Sequence, residues 1–144
     1  MVQQTRFAST LPAVSRFLGS LESPTRADVL LMGVPFDGSV SFWPGARFAP
    51  ARIREASCSL EEYSPMLDKS LAEVQFFDAG DIELPFGDLS GTLSCIAGTV
   101  RKEALEQEKR PFVLGGEHLV SLPVIQAIHE LYPDLAVVHL DAHA

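Results

Sequence analysis

Ala27-Asp28-Val29-Leu30-Leu31-Met32-Gly33-Val34-Pro35 is an apolar run without polar alternation, closed by a glycine and a proline. A strand with one wet face alternates apolar and polar residues, whereas a strand covered on both sides does not, so the run reads as a strand of a parallel sheet. Three further stretches repeat the pattern: Glu73-Val74-Gln75-Phe76-Phe77-Asp78-Ala79-Gly80-Asp81, Pro111-Phe112-Val113-Leu114-Gly115-Gly116 and Leu135-Ala136-Val137-Val138-His139-Leu140-Asp141. Helical spacing fills the intervals. Leu93, Ile96, Ala97, Val100, Ala104 and Leu105 predict a long amphipathic helix whose charged far end, 101–110, is solvated. Leu122, Ile125, Ile128 and Tyr132 predict a second, stopped by Pro133, and residues 50–57 a shorter one opened by a proline. Strand and helix in alternation predict an α/β domain, in which binding residues gather at the carboxyl ends of the strands.

The 144 residues suit one domain, and 47 % hydrophobic with 21 % charged residues exclude disordered, collagenous and coiled-coil classes. A formal net charge of −8 argues against nucleic acid or an anionic membrane as partner and is compatible with a cationic ligand. No apolar stretch reaches the ~20 residues of a membrane helix, so a soluble protein is expected. The first 21 residues carry Arg6 and Arg16 with no acid; an N-terminal arm within 1–26, including a short helix over 11–18, is expected rather than a transit peptide. Cys58 and Cys95 each stand alone and are expected to be reduced, buried and structural.

Chemistry is sought at the strand ends. In an extended chain Asp141 and His143 point the same way about 6.5 Å apart, a spacing at which a carboxylate and an imidazole share one ion or hold two neighbouring ones. Gly115-Gly116-Glu117-His118 places His118 at a helix start, where the dipole favours the neutral ring that a metal requires. Asp-x-His alone is a weak signal, since two polar residues at a strand end are usually only a solvated turn. His139, two residues deeper on the same face, is expected to be a packed core histidine. His129-Glu130 lacks the second histidine of a zinc-protease helix, since Pro133 stands there, and no nucleophile elbow, dinucleotide fingerprint or phosphate loop occurs.

Taken in order, Gly33-Val34-Pro35-Phe36-Asp37-Gly38, Pro44-Gly45-Ala46-Arg47-Phe48-Ala49-Pro50 with Ile53-Arg54, Asp78-Ala79-Gly80-Asp81, Gly115-Gly116-Glu117-His118 and Asp141-Ala142-His143 resemble the motif series of the ureohydrolase (arginase/agmatinase) family. The first two blocks look most like its agmatinase branch, and the resemblance runs from about residue 28 to the end. It implies an arginase-like three-layer α/β/α fold with a parallel sheet, truncated after the fourth strand. The first three strands would lie side by side in the order second, first, third, and the fourth would stand apart across a gap two strands wide. It further implies manganese-dependent hydrolysis of a guanidino compound, most simply agmatine to putrescine and urea, or a guanidinobutyrase or other amidine hydrolase of the same family.

By resemblance, manganese would be ligated by His118, Asp141 and His143, with Asp141 bridging two ions and Glu117 standing where many members have Asp. The family motif continues with another Asp, whereas this sequence ends at Ala144. The resemblance therefore implies an N-terminal portion that is inactive alone, or a fragment that folds or pairs with another subunit. A cytoplasmic location and a homo-oligomer in the full-length form are expected.

Overall fold

The computed structural model describes residues 9–13 and 15–142. In chain order the strands are β1 (Thr10–Leu11), β2 (Val29–Val34), the small hairpin β3 (Tyr63–Ser64) and β4 (Lys69–Ser70), β5 (Phe76–Ile82) and β6 (Arg110–Gly115). The α-helices are α1 (Ala49–Ser57), α2 (Leu89–Thr99) and α3 (Ser121–Leu131). The main sheet has four strands in the order β1-β5-β2-β6, β2 running parallel to both β5 and β6 and β1 antiparallel to β5. The second-first-third arrangement of the long strands is the one expected.

Alternation along β2 explains the layers. Leu30, Met32 and Val34 are fully buried on one face, packed with Phe77, Ala79 and Ile82 of β5 against Ile96 of α2, Val100 and Ala127 of α3. Each of the Leu, Met, Val, Phe and Ile side chains so removed from water contributes roughly 1.5–3 kcal/mol. Leu31, Phe76 and Leu114 face the other way, with Phe17 and Leu71 packed on them, and α1 lies on this second side, its Arg54 bonded to Asp78 and Asp81. Helices on both faces of a largely parallel sheet make the expected three layers.

Simple alternation would put Asp78 and Asp81 on opposite faces. The register with β2 shifts, Leu31 pairing with Asp78 but Gly33 with Asp81, so that β5 carries one extra residue. Such a bulge reverses the parity of the residues beyond it, and both carboxylates reach Arg54. Gly80 at φ +89° makes the bulge: a Cβ there would collide with the Leu11 carbonyl oxygen.

Several expectations are corrected. No helix forms over 11–18 among the described residues. Pro12 has no N–H to donate, and the neighbouring backbone serves the sheet instead: β1 pairs with Asp81 and Ile82, Phe17 N–H donates to Asp78, Leu18 N–H to Ser57 Oγ and Leu21 N–H to the Phe76 carbonyl. The β1 pairing, the Leu21 bond and Asp78 N–H to Ser20 Oγ engage the outer edge of β5, while the Phe17 and Leu18 N–H groups are taken by the Asp78 and Ser57 side chains; β6 ends the sheet on the other side. The long amphipathic helix is present but changes pitch. After α2 it widens into a π turn at Val100–Ala104 and tightens to a 3-10 turn at Leu105–Gln107, which draws Glu103 from the expected solvated end into a buried site.

Residues 135–140 form no strand, and Val137, Val138 and Leu140 are exposed. A strand exists through its ladder, and among the described residues no neighbour lies alongside to supply one. Both cysteines are free, as expected; Cys95 is half-buried and packs against the core, whereas Cys58 is exposed just beyond α1 rather than buried. No helix among the described residues is long and apolar enough to cross a membrane.

Candidate metal centre

The site is built where β6 ends. Gly116 N–H donates to the Val34 carbonyl (3.1 Å) and Glu117 N–H to the Phe36 carbonyl (2.8 Å), so the chain leaving β6 is stitched to the chain leaving β2. A Cβ on Gly116 would collide with the Phe36 carbonyl oxygen, so glycine is required for this approach. His118 comes next, opening a 3-10 turn at His118–Val120 that runs into α3. Its side chain is half exposed.

His118 Nδ1 faces Asp141 Oδ2 at 3.3 Å, and His139 Nε2 faces the same oxygen at 3.6 Å. The two imidazoles meet Nε2 to Nε2 at 3.0 Å, which requires one nitrogen to donate and the other to accept. One ligand-capable atom from each of His118, His139 and Asp141 lies within 4.8 Å of the others. Of the residues singled out above, His118 and Asp141 lie side by side. His143 falls outside the described residues. His129, in the last turn of α3, is not in this cluster.

The expected place of His139 in the core is corrected: its side chain is 59 % exposed and beside the other two. Burial presupposes a paired strand over 135–140; without one, His139 shares a side with Asp141 and nothing among the described residues encloses it. The signal is legible as His139-x-Asp141, the same two-residue spacing as Asp141-x-His143.

A loop stands over the centre. Glu117 is buried, and its carboxylate accepts Ser39 N–H at 3.0 Å and Ser39 Oγ–H. Two residues before Ser39, buried Asp37 accepts Gly45 N–H (2.7 Å) and Arg47 Nε–H (2.5 Å). The Arg47 hydrogen bond in particular holds the Asp37 carboxyl down at about 2, and Asp37 in return raises the Arg47 guanidinium. Between these clamps Phe42 and Trp43 meet edge to face at 5.8 Å, both largely exposed. With Ser39, Glu117, His118 and Leu119 they line an open groove of about 440 Å³.

A second ionic cluster ties α1 to β5. Arg54, 1 % exposed, bonds Asp78 through Nε (2.7 Å) and Nη2 (2.9 Å), Asp81 through Nη1 (2.6 Å) and the Gly80 carbonyl (3.0 Å). Burial alone would lower the Arg54 pKa; the bonds to Asp78 and then Asp81 outweigh it and raise it. Local sequence pattern carries no signal for these ties between distant segments.

Comparison with known proteins places the chain in a family. A profile described as Arginase family matches residues 27–144. Agmatinase of Bacillus subtilis (strain 168) is 54 % identical over 127 residues, covering 88 % of this chain and 43 % of the relative. The crystal structure of agmatine ureohydrolase of Thermoplasma volcanium superposes with a TM-score of 0.72 at 26 % identity, covering 81 % of this chain and 39 % of that one. Formiminoglutamase of Trypanosoma cruzi, solved with Mn2+, gives a TM-score of 0.68 at 25 % identity, covering 81 % and 39 %. The chain thus spans less than half the length of the relatives it matches.

Proposed function

Because the chain belongs to the arginase family, we propose that it furnishes part of the active site of a manganese-dependent ureohydrolase acting on a guanidino compound, agmatine first, to give urea and putrescine. The observation that carries this reading is the convergence of His118 and Asp141 at the end of β6. The donor set fits the metal: imidazole nitrogen and carboxylate oxygen are ligands that manganese accepts, and no thiol belongs to the cluster.

His118 and Asp141, with His143 by the Asp-x-His spacing, would hold the metal. Manganese, when bound as a pair, lowers the pKa of water so that a hydroxide nucleophile exists at neutral pH, which a poorly electrophilic guanidinium carbon needs. The protein's own part is to orient. The stitched ends of β2 and β6 fix His118, and the Ser39–Trp43 wall narrows one side of the groove. A net charge of −8 suits a cationic substrate. Formation of putrescine would place the reaction among those that make polyamines. A cytoplasmic location and a homo-oligomer for the full-length form belong to the same reading.

The test is a chimera in which residues 1–144 replace the corresponding part of the Bacillus subtilis agmatinase. Urea release from agmatine in manganese is expected. Substituting His118→Ala or Asp141→Asn should cost more than the roughly 10–100-fold typical of losing a group that merely orients a metal ligand. A chimera that folds like its parent yet releases no urea would overturn the proposal.

A further inference from the structure

The loop after β2 and the residue that starts the 3-10 turn after β6 come from segments some eighty residues apart, and one side chain joins them. Glu117 is buried, accepts both the backbone N–H and the hydroxyl of Ser39, and immediately precedes His118. Its own N–H is spent on Phe36 at the root of the same loop. A buried carboxylate is costly unless its lone pairs are satisfied, and here Ser39 supplies both of the bonds that satisfy it. We propose that Glu117 is a positioning residue that makes the loop carrying Phe42 and Trp43 and the His118 imidazole one mechanical unit. The groove wall and the metal centre then move together.

Three observations converge on this. Glu117 and Ser39 each line the groove onto which His118 opens. Gly116 approaches the Phe36 carbonyl so closely that a Cβ would not fit, and Gly116 N–H and Glu117 N–H bond the chain leaving β2. The far end of the loop is clamped separately, through Asp37 to Gly45 and Arg47, and among the described residues the Ser39–Glu117 bonds tether the stretch between the clamps on the His118 side. Release of that tether should free Trp43 and displace His118 while leaving the sheet intact.

The protein supplies its own reporters, since Trp43 is its single tryptophan. The experiment uses the 144-residue chain with Ser39→Ala, Glu117→Ala and Glu117→Gln, each checked by thermal melting. In Ser39→Ala, which removes only the hydroxyl, the fluorescence anisotropy of Trp43 should fall. The His118 Cε1–H signal in metal-free NMR should shift while that of His129 stays fixed. Glu117→Gln, which keeps an acceptor oxygen at the same reach, should restore both signals toward the parent. A purely structural role for Glu117 would lower the melting temperature and leave both local signals unmoved.

A third measurement rests on the manganese reading above: the manganese dissociation constant should rise about 10–100-fold in Ser39→Ala, as when a group that orients a ligand is lost. The urea assay of the chimera judges the manganese reading; the anisotropy and His118 signals judge the coupling by themselves. Parent values of both signals in a folded Ser39→Ala variant overturn the proposal.

Discussion

Replacing Arg54 by Met exchanges a buried guanidinium for an apolar chain of similar length and leaves Asp78 behind, with none of its side chain exposed. The cost is set by the groups that remain. Asp78 keeps two neutral donors, Phe17 N–H at 2.8 Å and Gly80 N–H at 3.0 Å, but loses both charge-assisted bonds from Arg54. Asp81, 26 % exposed, finds water instead. Breaking one side of a buried ion pair typically costs about 3–5 kcal/mol, a large share of the roughly 5–15 kcal/mol that holds a domain together. With a urea dependence of about 1–3 kcal/mol per molar, the unfolding midpoint should fall by at least ~1 M. Circular dichroism during urea titration reads this directly. Pairing the change with Asp78→Asn should give a coupling energy toward the upper end of the roughly 0.5–3 kcal/mol found for contacting residues. A loss below ~1 kcal/mol for Arg54→Met would show that the network is not holding α1 to the sheet.

The isolated 144-residue chain should release no urea from agmatine even in excess manganese, because two divalent ions would meet a single carboxylate, Asp141, among the proposed ligands; colorimetric urea above a metal-only blank contradicts this. The Asp37 clamp should depend on pH. Its carboxyl titrates lower in the folded protein, at about 2 against an ordinary 3.8, so its stabilisation is complete above the ordinary value and is lost as pH falls toward 2. Trp43 anisotropy should drop in that window and be insensitive to it in Asp37→Asn. Gly116→Ala drives a methyl group into the Phe36 carbonyl oxygen, and overpacking of this kind typically costs about 1–3 kcal/mol. The melting temperature should fall accordingly, and an unchanged melt would mean that the β2 and β6 ends are not in close contact.

Local pattern is legible in the sequence. The unbroken apolar character of residues 29–34 identifies a strand buried on both faces, and the proline at position 123 falls within the first turn of α3 as its residue type requires. Asp141 and His118 can be singled out because polar residues after apolar runs mark strand ends. Features that depend on long-range partners are not legible. The bulge at Gly80, which turns Asp81 toward Arg54, exists only because β1 and β2 flank β5. His139 belongs by pattern to a core that residues 135–140 do not build. The segment over 11–18 has helix-compatible spacing, yet its backbone donors find better use on the edge of β5, a competition that a local pattern cannot register.

The two margins of the sheet differ in kind. Along β5 the chain's own N-terminal segment meets the sheet, while β6 is the last strand on the other side among the described residues. A strand added beyond β6 would therefore lie next to the segment that leads to His118, which ties any extension of the sheet to the candidate metal centre.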